Sequence, residues 1–427
     1  MKRKWLATLA VSGLLLGASA CATKTETVAP YQPDTSLGNE FSYRPIEPRL
    51  VPVDPNDPDS LTEEQIAMLS ERPDYNIYTT LAHHPDLYRS WSPLGRMLLN
   101  NDAVSLRHRE MAMLRMGWLC QAEYEWSQHA RIAHDNVGMT PDEIRAIAVG
   151  VSSENWDELD RAVLNMADEL RYDARVSDET WKILTSHYNE PQVVGLIYTA
   201  LQYQLVSMVL NSLGVQLDPV LDFRLPDDLP MPYLAGAVSP DLPYETRVPA
   251  LTRDEMSDAQ LALLPKRLRE SGELPNFYAT LVRYPDLFSA QLGFARFLLA
   301  GTDLSPRERE IIILRTTALH GGAYEWSHHV PRAKSAGLSD AEIEQLASGE
   351  LSEGWSGAES LLIQAVEDLR REAFITDRVY TGLGFGYSEK QIVEIIYLSG
   401  AYAMFSSVMN TLGVETEPGY PAFGEAG

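Results

Sequence analysis

The chain has 427 residues, 45% of them hydrophobic and 22% charged, the make-up of a globular protein with room for two or three cores and not of a disordered one. Its formal net charge is −25, and −28 without the leader cations Lys2, Arg3 and Lys4. A surface that acidic repels phosphate backbones, and no cluster of Lys and Arg interleaved with aromatics offsets it, which argues against nucleic acid as a partner.

The three leader cations precede an apolar run over residues 5–18 and then Ser19, Ala20 and Cys21. This is the form of a signal peptide over residues 1–21, with an apolar stretch too short to span a bilayer comfortably. The cysteine after small residues resembles a bacterial lipobox, although Ala18 stands where Leu is usual. The expectation is an exported cell-envelope lipoprotein, acylated at Cys21 and touching the membrane through that anchor alone. Ala22, in place of a retaining Asp, points to the periplasmic side of the outer membrane. The other cysteine is Cys120, so with Cys21 acylated no intrachain disulfide can form.

Residues 22–48 are rich in Pro, Asp and Thr and lack helical periodicity, as a disordered tether would. Two domains are expected, over residues 49–222 and 247–414. A linker over residues 223–246 carries Pro226, Pro230, Pro232, Pro240 and Pro243, and residues 415–427 form a tail. The two domains repeat each other. Pro85, Asp86 and Leu87 return as Pro285, Asp286 and Leu287; Arg109 and Glu110 as Arg309 and Glu310; Leu114 and Arg115 as Leu314 and Arg315. Tyr124, Glu125, Trp126 and Ser127 return as Tyr324, Glu325, Trp326 and Ser327, with His129 matched by His329. One residue is then lost, so Asn211 and Gly214 match Asn410 and Gly413. Chance does not produce this, and the chain is a duplication.

Both copies read as all-α. Ser305, Pro306 and Glu308 have the form of a capping box with proline at the first helical position. The apolar residues from Ile311 to Leu319 occupy most faces, as in a buried helix. Residues 155–171 and 190–212, with 355–371 and 389–411, keep apolar spacings of three and four, and Gly214 and Gly413 suit C-caps. No period-two alternation or glycine-rich phosphate loop appears.

Glu125 and His129 lie four apart on one helical face, as do Glu325 and His329. A carboxylate beside an imidazole orients the ring and raises its pKa, giving a proton donor near neutrality. Glu110 and Glu310 lie on the preceding helix. Arg115 and Arg315 sit inside its apolar run, where each needs either an ion pair with Glu110 or Glu310, or an anionic ligand. The pair of Glu and His also admits a bland reading as a simple i,i+4 contact kept by common descent. Metal is not expected. His320, His328 and His329 have Cys120, Gln128 and His129 in the first copy, and adjacent histidines on a helix point about 100° apart.

On these motifs, most of residues 49–222 and 247–414 resembles the carboxymuconolactone decarboxylase family, which includes the alkylhydroperoxidase AhpD. The resemblance implies two tandem AhpD-like helical domains and assembly as trimers or hexamers, so three chains would build a six-domain ring. The AhpD-type branch works through two cysteines three residues apart, the second four before a histidine, with a glutamate nineteen before that histidine. Here the histidine falls on His129 and His329, and the glutamate on Glu110 and Glu310. The cysteine positions hold Ala122 and Glu125, and Gly322 and Glu325, so thiol peroxidase chemistry has no thiolate. The decarboxylase-like branch uses acid–base residues and no cofactor. It implies a lyase or isomerase acting on a small lactone or keto acid. In that scheme Arg115 or Arg315 holds the acid, His129 or His329 protonates carbon, and Glu125 or Glu325 orients the histidine. Two readings stand beside it: a non-catalytic envelope lipoprotein that binds a ligand or partner, and an AhpD-like redox accessory role, against which the missing cysteine pair counts.

Overall fold

The computed structural model describes residue 45 and residues 47–72, 74–100, 102–232, 236–238, 244–351 and 354–427. The expected leader, Cys21 and most of the tether lie outside the described residues.

Nineteen α-helices and no strand occur among the described residues. The first copy opens with the short α1 (Glu63–Leu69) and α2 (Asn76–Leu81). It continues through α3 (Pro85–Leu99), α4 (Leu106–Leu119), α5 (Glu123–Ile132), α6 (Pro141–Val149), α7 (Glu158–Asp173), α8 (Asp178–His187) and α9 (Glu190–Leu213). The second opens with α10 (Asp258–Leu263), α11 (Lys266–Glu270) and α12 (Asn276–Leu281). It then repeats the series as α13 (Pro285–Ala300), α14 (Pro306–Leu319), α15 (Ala323–Ser335), α16 (Asp340–Ser348), α17 (Gly357–Glu372), α18 (Asp377–Leu383) and α19 (Glu389–Leu412).

The sequence signals for helix ends operate as local chemistry demands. Ser305 Oγ accepts the backbone N–H of Glu308 while Glu308 Oε2 accepts that of Ser305 at 2.7 Å, the reciprocal box that starts α14. Gly214 and Gly413 end α9 and α19 with φ of 67°, a left-handed conformation that favours glycine. Gly413 is also a close approach, since a Cβ there would fall 2.0 Å from the carbonyl oxygen of Glu245.

In each copy one helix is enclosed by the others. α4 packs on α5, α7 and α9, and α14 packs on α15, α17 and α19, which explains why both are apolar on nearly every face. α9 and α19 are long and apolar enough to cross a membrane by composition, yet their apolar windows are wholly buried inside the protein. They are core helices, and they also join the copies: α9 packs on α19 and α3 on α13.

The described residues of both copies therefore form one compact body. Its seam is reciprocal, as a two-fold relation between the copies requires. Arg171 donates to the carbonyl of Arg370 at 2.7 Å, and Arg370 donates to that of Arg171 at 2.8 Å. Asn211 Nδ2 donates to Cys120 O at 2.9 Å in its own copy and to Ala373 O at 3.4 Å across the seam. Asn410 repeats both contacts with His320 and Ala174. Tyr198 donates to Gln291 Oε1 at 2.9 Å, and a buried His84–Glu394 pair closes at 2.9 Å.

Candidate functional site

The duplicated acid–base cluster is built by the two helices that flank the turn after α4. Glu110 comes from α4, and Glu125 and His129 from α5, all three buried. The imidazole Nδ1 of His129 lies 2.7 Å from Glu110 Oε2, and its Nε2 lies 3.5 Å from Glu125 Oε2. In the second copy His329 Nδ1 lies 2.7 Å from Glu310 Oε2. There the other ring nitrogen faces Tyr402, whose hydroxyl is 3.1 Å from Nε2, while Glu325 Oε1 is buried without a hydrogen-bond partner. With Nδ1–H donated to Glu310, Nε2 carries the lone pair and the tyrosine hydroxyl donates to it.

This geometry corrects the expected division of labour. Neighbours four apart on a helix approach only loosely here, whereas the facing helix brings its carboxylate to hydrogen-bond distance of Nδ1. The carboxylates that orient the imidazoles are thus Glu110 and Glu310, not Glu125 and Glu325. Burial pushes the carboxyls of Glu125 and Glu325 up to about 7, opposed by the charge of His129 in the first copy and of Arg332 in the second. Burial alone would depress His129, but the charge and hydrogen bond of Glu110, with the charge of Glu125, hold it above the ordinary imidazole value. His329 goes the other way. Burial lowers it, Glu310 only partly compensates, and Arg332 and His328 add to the fall.

Arg115 and Arg315 take neither of the roles offered by the sequence. Arg115 Nε and Nη2 donate to Asp168 at 2.6 and 3.0 Å, and Nη1 donates to the carbonyls of Ile147 and Ala148 at 3.0 and 2.7 Å. The guanidinium thereby satisfies the last turn of α6, whose exposed carbonyls attract a cation. Arg315 repeats this with Glu367 and Leu346. The next residue along, Gly150 or Gly349, leaves the space: a Cβ would come 2.7 Å from Arg115 Nη2 and 2.5 Å from Arg315 Nη2. Both arginines are structural clamps.

Four tyrosines escaped the sequence reading. The ring of Tyr203 stands edge-on to His129 at 4.6 Å between centroids, and that of Tyr402 to His329 at 5.0 Å. Burial pushes the hydroxyls of Tyr78 and Tyr278 up, and Glu125 and Glu325 respectively add to that rise. Their signal was available, because Tyr78 and Tyr278 share the offset of 200, and Tyr203 and Tyr402 the later offset of 199. Arg332 was missed for the opposite reason: its counterpart is Ile132, so repetition does not mark it.

The three histidines of the second copy turn to separate partners. His320 Nδ1 meets Thr316 O at 2.8 Å, His328 Nε2 meets Glu417 at 2.6 Å, and His329 meets Glu310. The tail residues hold the outer face of α15, with Trp326 donating to Glu425 O at 3.0 Å and Ser327 to Pro421 O at 2.7 Å.

A twice-repeated bundle with Glu and His on adjoining helices defines an AhpD-like enzyme fold. Residues 85–169 and 285–368 each match the model of the carboxymuconolactone decarboxylase family, so each copy carries a region of that family. Among solved structures it is similar to a cysteine-to-alanine variant of the debrominase Bmp8 in complex with 2,3,4-tribromopyrrole. The two share 17% identity over 41% of this chain and 93% of that one, with a TM-score of 0.35. No curated protein matches the sequence.

Proposed function

We propose that the protein is a lyase or isomerase that moves a proton on a small lactone or keto acid. The observation that supports this reading most is a buried carboxyl poised at about 7 on the helix of an imidazole held by a second carboxylate, in both copies, with the carboxyl 3.5 Å from the ring in the first. At that pKa the group is part acid and part base at neutral pH, which suits it to take a proton and give it back. Loss of CO2 from a lactone acid breaks the bond between carboxyl and ring carbon and leaves its electron pair on that carbon. The pair delocalises into a conjugated carbonyl as an enolate, and a proton from the Glu or His cluster restores the C–H bond. Isomerisation uses the same groups, with proton removal first and return at a different carbon.

Glu125 or Glu325 is the proton-exchanging group in this scheme. The imidazole fixed by Glu110 or Glu310 shares the proton, and in the second copy Tyr402 links His329 Nε2 to the interior. A screen of lactones and β-keto acids, read by CO2 release and by deuterium uptake from D2O, tests it. Pairing H129Q with H329Q, and separately E125Q with E325Q, is expected to lower turnover by about a hundredfold or more. Full turnover in both double variants, with the helical signal intact, would remove the cluster from the chemistry.

A further inference from the structure

The rims of the two copies of the cluster are built differently. Beside the second lies a surface cleft of about 420 Å³, within the range that holds small molecules. Its walls include Leu299, Arg309, Glu310, Pro331 and Arg332. Glu310 is therefore shared between cleft and cluster: it lines the opening, and its Oε2 is the group that holds His329 at 2.7 Å. Among the described residues the Arg332 guanidinium makes no hydrogen bond or ion pair, and the residue is exposed. Neighbouring arginines differ. Arg307 pairs with Glu342 and Glu359, Arg309 donates to Leu304 O at 2.7 Å, and Arg315 clamps α16.

The same place in the first copy is built otherwise. Ile132 replaces Arg332, Leu106 replaces Pro306, and Arg109 is buried with its guanidinium on the carbonyls of Leu98 and Leu99 at the end of α3. That contact ties α3 to α4 beside Glu110. Among the described residues the second copy shows no such tie, since Arg309 turns back to Leu304 within its own loop.

We propose that the second copy is the binding site for a small organic carboxylate and that Arg332 receives the carboxylate group. The inference rests on the proton-transfer reading and names the substrate class of that site. An uncommitted guanidinium offers two parallel N–H donors to a planar carboxylate, which a strongly acidic surface otherwise repels. Anchored there, a small keto acid, which the cleft accommodates with room to spare, has its far end toward Glu310, the residue that holds His329. Arg332 thus supplies the anion-holding function that Arg115 and Arg315 cannot.

Calorimetric titration of the full chain with levulinate, a keto acid, and with its methyl ester tests this without turnover. Levulinate is expected to bind once per chain and in preference to the ester. R332Q is expected to weaken it by about ten- to a hundredfold, the worth of a charge-assisted hydrogen bond, and R332K to recover part of the loss. Unchanged affinity in R332Q, two equal sites per chain, parity between acid and ester, or no binding at millimolar levulinate would each overturn the inference. The outcome is separable from that for the chemistry. Turnover lost in the histidine pair while R332Q binds normally removes Arg332 and leaves proton transfer standing. Binding lost in R332Q while the histidine pair keeps full turnover does the reverse.

Discussion

The two copies share a cluster but not its surroundings, and the contrast shows which parts of the site the duplication held fixed. Glu110–His129 and Glu310–His329 are alike: same atoms, same 2.7 Å separation, same buried position between adjoining helices. The shell around them differs. The first copy is a carboxylate–imidazole–carboxylate triad with Ile132 at the position of Arg332, and with Arg109 drawn to the carbonyls that end α3. The second has a cation, Arg332, at the mouth, a tyrosine hydroxyl on the free ring nitrogen and an unpartnered Glu325 oxygen. One imidazole is held above its ordinary pKa and the other below. A rigid inner pair and a variable rim are what two diverged sites on one scaffold would show.

The largest test separates arginines that hold the fold from the one proposed to hold a ligand. R115A leaves Asp168 partly buried without its cation and frees two carbonyls at the end of α6. Breaking such a pair is expected to cost about 3 kcal/mol in urea unfolding. R315A should behave alike in the second copy, whereas R332A, which breaks no side-chain hydrogen bond or ion pair among the described residues, should stay within about 0.5 kcal/mol of the parent. Equal losses for Arg115 and Arg332 would erase the distinction.

An effect of similar size per group concerns the carboxyls. Glu125 and Glu325 have folded-state values near 7 against an ordinary 4.5, so the folded chain binds their protons more tightly than the unfolded one. Each contribution is full below about pH 4.5 and is lost as pH rises through about 7, up to about 3 kcal/mol apiece. Unfolding free energy measured between pH 5 and 8 should therefore fall with rising pH, and E125Q with E325Q should flatten the slope. An unchanged slope in that double variant would place the titrating groups elsewhere.

Much of this was legible in the sequence, because a duplication writes every shared feature twice. The helices, the capping box at Ser305, the C-caps at Gly214 and Gly413 and the recurrence of Glu110, Glu125 and His129 all follow from local propensity or repetition. What sequence spacing did not convey was direction across helices. Glu125 and His129 share a face, yet the ring turns its Nδ1 to Glu110 on α4, and Arg115 reaches Asp168, fifty-three positions away, instead of a ligand. Nor could repetition show a residue present once. Arg332 is invisible to a comparison of the copies except as a mismatch with Ile132.

That mismatch supplies the smallest and most specific test, an exchange of the two residues. R332I removes a positive neighbour from His329 and should raise its pKa, while I132R places one by His129 and should lower it. Each shift is expected to be about one unit or less, given the screening at an exposed guanidinium. Imidazole ¹³C–¹H resonances followed against pH read both histidines in one experiment. The contrast has a competing cause, however, since the Tyr402 hydroxyl donates to His329 Nε2 and so favours the neutral ring by itself. Y402F separates the two. If His329 rises in Y402F and not in R332I, the difference between copies belongs to the buried hydrogen bond. If it rises in R332I and His129 falls in I132R, the difference belongs to the rim, and a single substitution beside a shared Glu–His pair suffices to set the charge of the site.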